Sequence, residues 1–267
     1  SRDVSVADQN GRNTRRDQTG GIDVEEMDVA PSVDLLESMR SVGYSLEAAV
    51  ADLIDNSISA GARRIDIDLE PVTASHVAML DDGVGMSPEE AISALRLAGS
   101  LGERNASDLG RFGLGLKTAS LSQARCLTVV TKQHGETTGL RWDIDHVKRT
   151  GRWSLLRLSS EEIADAPWAS RLQDQESGTL VIWTDLDLLI GDAVDPSEVM
   201  RQRVAPLIES LALVFHRYLK RRTNNVQIAV NGNVVVPLDP FLTSNPRTQT
   251  SPTQHIAIGG SLVSVTA

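Results

Sequence analysis

Residues 46–59 leave little choice of structure. Leu46, Ala49, Val50, Leu53, Ile54 and Ser57 fall on one side of a helix and Asp52, Asp55, Asn56 and Ser59 on the other. Such a segment must lay its apolar stripe on a second layer, and the following residues supply one. Gly61 closes the helix, Ile65-Asp66-Ile67-Asp68-Leu69 alternates with period two, and Val77-Ala78-Met79-Leu80 reads as a strand running into Asp81-Asp82-Gly83-Val84-Gly85. Ser87, Pro88 and Glu90 suit the N-cap, N1 and N3 positions of another helix. Glycines at 99, 102, 110, 113 and 115 predict a long mobile loop that closes onto a helix starting near Leu114.

Further strands are expected at 126–132, 139–144, 153–158 and 178–183, with short turns such as His134-Gly135-Glu136 that favour antiparallel neighbours. A long helix is expected over 196–222, kinked at Pro206, and then a hairpin of 226–230 and 234–236 about Asn231-Gly232. The pattern predicts an α/β two-layer sandwich on a mixed or antiparallel sheet. Only 3% of the 267 residues are aromatic, so the core must be aliphatic. Residues 1–30 are too poor in large apolar side chains to offset the entropy of ordering and read as a flexible arm. A chain that starts without methionine and ends on the strand-like 261–267, with no partner strand in view, reads as an excised fragment.

Composition bounds the partners. One cysteine, Cys126, cannot close an internal disulfide, which points to a reducing compartment and a cytoplasmic protein. No apolar run approaches the ~20 residues of a membrane span. A formal net charge of -10 disfavours broad adsorption to nucleic acid, and the basic cluster Lys220-Arg221-Arg222 reads equally as a solvated helix end.

Three glycine-containing segments and one acidic helix face carry candidate chemistry. Asp52 and Asn56, at i and i+4, project from neighbouring turns toward one point, although a polar helix face is usually just solvated. Asp81 ends a strand ahead of glycines that permit close backbone approach, or that simply make a turn. Gly110-Arg111-Phe112-Gly113-Leu114-Gly115-Leu116-Lys117 opens a helix whose free N–H groups suit phosphate, yet its glycine spacing fits neither the dinucleotide-binding nor the P-loop pattern.

Taken together in this order and spacing, these pieces resemble the GHKL superfamily of ATPases. Leu53 to Ala62 resembles the N-box, Asp81 to Met86 the D-x-G-x-G box, Gly110 to Lys117 the lid-end glycine box, and Gly178-Thr179 the last nucleotide motif. Gly115 to Ser120 looks most like the MORC branch and its bacterial relatives. The later helix with His216 to Leu219, then Val226 to Gly232, more loosely resembles the start of the transducer domain of MORC and MutL. The resemblance implies a Bergerat fold divided into a 1–30 arm, an ATP-binding domain over 31–190, and a connecting helix with a truncated transducer-like part over 191–267.

It also implies roles. Asn56 would hold Mg²⁺ through its amide oxygen, a hard ligand. Asp81 would accept the adenine amino hydrogen, Gly83, Gly85 and Met86 would lie along the base, and Thr179 would support Asp81. Ser59 and Ala60 belong to the same nucleotide-binding set. Gly110, Arg111, Phe112, Gly113, Leu114, Gly115 and Leu116 would wrap the triphosphate, Phe112 more by packing than by chemistry, and Lys117 would add charge. The family's general base is a glutamate four residues before the N-box asparagine, and that position here is Asp52, one methylene shorter. Slow Mg²⁺-dependent ATP hydrolysis is therefore expected, with lid closure and homodimer formation in the ATP state and any DNA contact confined to regions beyond this chain. The cation that relatives bring from the transducer domain has only Arg247 as a Lys or Arg candidate after Thr223, a second reason for slow turnover. Two other readings are a nucleotide sensor without hydrolysis and a protein-histidine kinase. The latter needs an upstream phosphoacceptor, and residues 1–45 contain no histidine.

Overall fold

The structure is a computed structural model that describes residues 37, 40, 43–71, 75–96, 115–191, 193–220, 225–243, 245–249, 253–258 and 261–265. The 1–30 arm, lid residues 110–114, and Arg221 and Arg222 lie outside the described residues. In chain order the elements are α1 (Leu46–Ser59), β1 (Arg64–Glu70), β2 (His76–Asp81), α2 (Pro88–Leu95) and α3 (Gly115–Leu121). Next come β3 (Cys126–Gln133), β4 (Glu136–Asp143), α4 (Ile144–Thr150), β5 (Leu156–Arg157), α5 (Ser160–Ala164), α6 (Ala169–Gln173) and β6 (Gly178–Thr184). The last are α7 (Asp187–Ile190), α8 (Pro196–Val214), α9 (His216–Leu219), β7 (Gln227–Val230), β8 (Asn233–Val234), β9 (Gln254–Ile258) and β10 (Ser261–Val265).

Helix α1 buries Leu46, Ala49, Val50, Leu53, Ile54 and Ser57, the six positions its period singles out. Full burial of Leu53 or Ile54 contributes on the order of 2 kcal/mol each. Ser45 caps its start by accepting from the Ala48 N–H at 3.2 Å. At α2 the Ser87 hydroxyl accepts from the Glu90 N–H at 3.3 Å and the Glu90 carboxylate accepts from the Ser87 N–H at 2.8 Å, closing the expected capping box.

The strands form one mixed sheet in the order β5-β4-β3-β6-β2-β1-β7-β8. Among the described residues, the β1–β7 pair alone in this sheet is parallel. One face packs against α1, α3 and α8 through an aliphatic core that includes Ile65, Ile67, Val129, Val181, Leu207 and Leu211. The opposite face carries a smaller cap, in which Ile163 and Leu172 from α5 and α6 cover Leu80, Val130, Leu180 and Ile182.

One hairpin forms as expected, and three other expectations need correction. The hairpin about Asn231-Gly232 forms, with both turn residues at positive φ, but β7 pairs with β1 (Ile67 opposite Val230). The 227–234 hairpin therefore joins the main sheet at its β1 side. The long helix, which holds Pro206 inside it, ends at Val214 short of the expected 222, with buried Phe215 before the single turn of α9. The strand expected over 153–158 shrinks to Leu156–Arg157 at the sheet edge. Residues 261–265 do have a partner, the antiparallel β9.

Two glycines show opposite constraints. Gly135 sits at φ 81° in the β3–β4 turn, and a Cβ there would meet nothing within 4 Å. Gly85 sits at φ 70°, and a Cβ there would lie 2.1 Å from the Lys132 carbonyl oxygen. Gly135→Ala should cost about 1 kcal/mol of left-handed strain. Gly85→Ala adds a backbone clash and should cost roughly 3 kcal/mol or more. Thermal melts of the two variants check the order, with Gly85→Ala melting at least several degrees lower.

Candidate active site

The site is built around the last residue of β2. Asp81 is 4% exposed, and three elements converge on its carboxylate. The Ser57 hydroxyl, from the buried face of α1, donates to Oδ2 at 2.7 Å. The Gly83 N–H donates to Oδ1 at 2.9 Å and the Thr179 N–H, from β6, donates to the same oxygen at 3.2 Å. Loss of water on burial pushes the carboxyl above its ordinary range, against the pull of the Ser57, Gly83 and Thr179 donors. A carboxylate has about four acceptor directions, so three donors leave room for one more.

The neighbouring Asp82 does different work. Its exposed carboxylate accepts from the Arg63 and Arg64 N–H groups at 2.7 and 2.8 Å, tying the strand end to the start of β1. Beyond it the chain is held on both sides. The Val84 N–H donates to the Ala60 carbonyl at 3.0 Å, and the Ser177 hydroxyl donates to the Gly83 carbonyl at 2.7 Å. A Cβ on Gly83 would lie 3.0 Å from both the Ala60 oxygen and Asp81 Oδ1. Backbone lies close at Gly85, and at Gly83 the Ala60 carbonyl and the Asp81 carboxylate do. The Met86 N–H donates to the Thr131 hydroxyl at 2.9 Å, and Thr131 also lies 3.2 Å from the Thr179 hydroxyl and the Gly178 carbonyl.

Asp81, Gly83, Gly85, Met86, Thr179 and Ala60 therefore form one cluster, attached to α1 through Ser57. Asn56 precedes Ser57 and is exposed, as is Ser59, whose hydroxyl donates back to the Asp55 carbonyl at 2.8 Å. Asp52 is half-buried one turn earlier. Its charge, after desolvation, also raises the pKa of exposed Asp55. Leu116 is half-buried against the core. Lys117 is buried, and its ammonium donates to the carbonyl of Arg96, the residue that caps the end of α2. Gly115 opens α3, while Gly110, Arg111, Phe112, Gly113 and Leu114 lie outside the described residues.

Sequence reasoning missed two members of this cluster. Ser57 was legible as a lone hydroxyl on an otherwise apolar helix stripe. Thr131, fully buried, sits in an apolar strand and faces Thr179 in register. A polar side chain on a core face needs a partner, and that need was the available signal.

Residues 44–179 match the family described as histidine kinase-, DNA gyrase B-, and HSP90-like ATPase. The chain belongs to this family. The match takes in α1, the turn after β2 and Thr179, the three elements whose donors converge on Asp81. Among curated proteins this ATPase-family chain is 33% identical over 124 residues to ATPase morc-1 of Caenorhabditis elegans, covering 46% of the chain and 14% of that protein. It is 33% identical over 113 residues to MORC family CW-type zinc finger protein 1 of Homo sapiens, covering 40% and 11%. Against the DNA mismatch repair protein MutL of Pelotomaculum thermopropionicum, 33% of 98 residues are identical, covering 35% and 16%. The matches thus span well under a fifth of the length of those relatives. Among the described residues no helix is long and apolar enough to cross a membrane.

Asp81→Asn tests the centre of the cluster. The amide oxygen can still accept from Gly83 and Thr179 while its NH₂ donates to Ser57, so the fold should survive. The same NH₂ then presents a donor where the carboxylate offers an acceptor. Calorimetric titration with ATP should show affinity reduced roughly a hundredfold or more in a protein that still melts cooperatively.

Proposed function

We propose that this chain binds ATP with Mg²⁺ and hydrolyses it slowly. The observation that carries the reading is the buried Asp81 carboxylate, which three protein donors hold in place with one acceptor direction left. An adenine amino group supplies the matching donor. Met86, Gly83 and Gly85 flank that position, with Thr179 fixing Asp81 from the next strand.

The α1 face fits the other end of a nucleotide. Asn56 offers an exposed amide oxygen, suited to an ion that also takes phosphate and water oxygens. Among the described residues no group of three His, Cys, Asp or Glu side chains could hold a metal without such help. When bound, Mg²⁺ would neutralise charge on the phosphate oxygens. Asp52, one turn from Asn56, would accept a proton from a water directed at the terminal phosphate. Residues 110–116 would supply backbone N–H groups to the phosphates, with Lys117 at their end. Lid closure and association of two copies would follow from that wrapping, and a DNA partner would engage through other regions of a longer protein.

Slow turnover follows from Asp52. A carboxylate on a side chain one methylene shorter stands back from the water by about 1.5 Å, a displacement that can cost on the order of a hundredfold. The same residue supports a second reading, a module that binds nucleotide without turning it over. Phosphate release measured beside nucleotide binding separates the two.

The two α1 residues should also separate. Asp52→Ala is expected to retain Mg²⁺-ATP affinity within about threefold and to lose at least ~90% of phosphate release. Asn56→Ala is expected to lose the Mg²⁺-dependent part of binding, roughly tenfold or more. Titrations with and without Mg²⁺ together with a phosphate-release assay check both. Parent-like turnover in Asp52→Ala would place the base elsewhere.

A further inference from the structure

We propose that Thr131 decides which base the site accepts, as a positioning residue that ties the Met86 backbone to the end of β6 beside Asp81. The inference deepens the nucleotide reading and rests on Asp81 accepting from a base amino group. One open direction on a carboxylate discriminates poorly among bases, because it takes any N–H donor. Adenine offers its amino group, and guanine offers a ring N–H and an amino group along the corresponding edge. Selection therefore depends on where a base is allowed to lie, and the backbone beside Asp81 sets that.

Thr131 lies in β3 opposite Thr179 and is fully buried. Its hydroxyl accepts from the Met86 N–H at 2.9 Å and lies 3.2 Å from both the Gly178 carbonyl oxygen and the Thr179 hydroxyl. A hydroxyl has one hydrogen and two lone pairs, so these three contacts use all of it. The Thr179 N–H in turn donates to Asp81 Oδ1 at 3.2 Å. A single oxygen thus links the residue after the glycine turn to the strand that fixes the carboxylate. Its neighbours reinforce the frame. The Gln133 side-chain amide donates to the Gly85 carbonyl at 3.4 Å, and the Ser177 hydroxyl donates to the Gly83 carbonyl at 2.7 Å.

Those two bonds hold carbonyls of the glycine turn, whereas Thr131 holds the N–H of Met86, a residue that flanks the base in this reading. Without the hydroxyl, the Met86 N–H and the Thr179 hydroxyl each lose a partner, and the spacing between the turn and β6 is no longer set at that point. Adenine then loses the fit around its amino group. Guanine needs a different placement to bring its donors to Asp81, and a looser frame excludes it less strongly. Discrimination is a difference between two affinities, and a rigid frame works by opposing the wrong partner.

The test titrates the whole chain, with Mg²⁺ present, against ATP, GTP and tripolyphosphate, which has no base. In the parent, ATP should bind more tightly than GTP. Thr131→Val removes the hydroxyl at nearly constant shape and should weaken ATP roughly tenfold while GTP and tripolyphosphate stay within about threefold, so the ATP-to-GTP ratio contracts. Thr131→Cys, a second variant of similar size whose sulfur is a weak acceptor, should contract the ratio in the same direction. Thr131→Ser keeps the hydroxyl and should restore it. A purely structural role would lower the melting temperature without moving the ratio. A parent-like ratio in the valine and cysteine variants, or an equal loss for all three ligands, therefore overturns the proposal. A parent with no preference for ATP over GTP overturns the base-reading role of Asp81 and the proposal with it, a failure visible before any Thr131 variant is made.

Discussion

A carboxylate buried to 4% exposure is costly unless donors meet it, and the way Asp81 is met dictates much of the surrounding structure. Its three donors come from α1, from the turn after β2 and from β6. The helix must therefore sit with Ser57 facing the sheet, the turn must bring the Gly83 N–H back, and β6 must pair in the register that puts Thr179 opposite Asp81. A slip of one residue in that register would turn Thr179 to the other face. Burial still leaves the Asp81 pKa raised, so its ionisation opposes folding: stability present below the ordinary carboxylate value of 3.8 is lost as pH rises through the higher folded value. A side chain that costs stability in its charged form, kept by three donors at a strand end, marks a site organised around an acceptor.

Much of the fold could be read locally. The six buried positions of α1, the capping box at Ser87 and the Asn231-Gly232 turn each depend on residues within a few positions of one another, and each appears as expected. What failed was non-local. Nothing in Gln227–Val230 says that it lies beside β1, more than 150 residues earlier. A parallel partner needs a crossover, and α8 with α9 provides it. The β9–β10 pair is a different case, since only two residues separate its strands and the pairing is local.

The site was legible to a different depth. Asp52, Asn56 and Asp81 stand out by spacing, because helix period and strand end are local facts. The glycines read as points of close backbone approach, to a ligand or within a turn, and at Gly85 the Lys132 carbonyl from β3 is one group that comes close. Distinguishing those uses needs the strand that packs there. Lys117 shows a similar ambiguity. A lysine in the first turn of a helix suits a phosphate, yet here its ammonium meets the Arg96 carbonyl, which closes the end of α2.

Those contacts bear on how α3 can act. Its end is fixed by the Arg40 guanidinium, buried to 4%, whose Nε donates to the Leu121 carbonyl at 2.7 Å. The same guanidinium donates to Glu37 at 3.0 Å and pairs with Asp187, while Arg125 and Lys148 also pair with Glu37. Lys148 first, together with Arg40 and Arg125, holds the Glu37 carboxyl down at about 2 against the burial that would raise it. Its contribution to folding is thus present above the ordinary value of 4.5 and is lost as pH falls toward 2, the reverse of Asp81. Neutral pH leaves α3 pinned at its C-terminal end by this network and by the Gln123 side-chain bond to the Tyr44 carbonyl. Its first turn carries Lys117 against α2, so the helix is a fixed post.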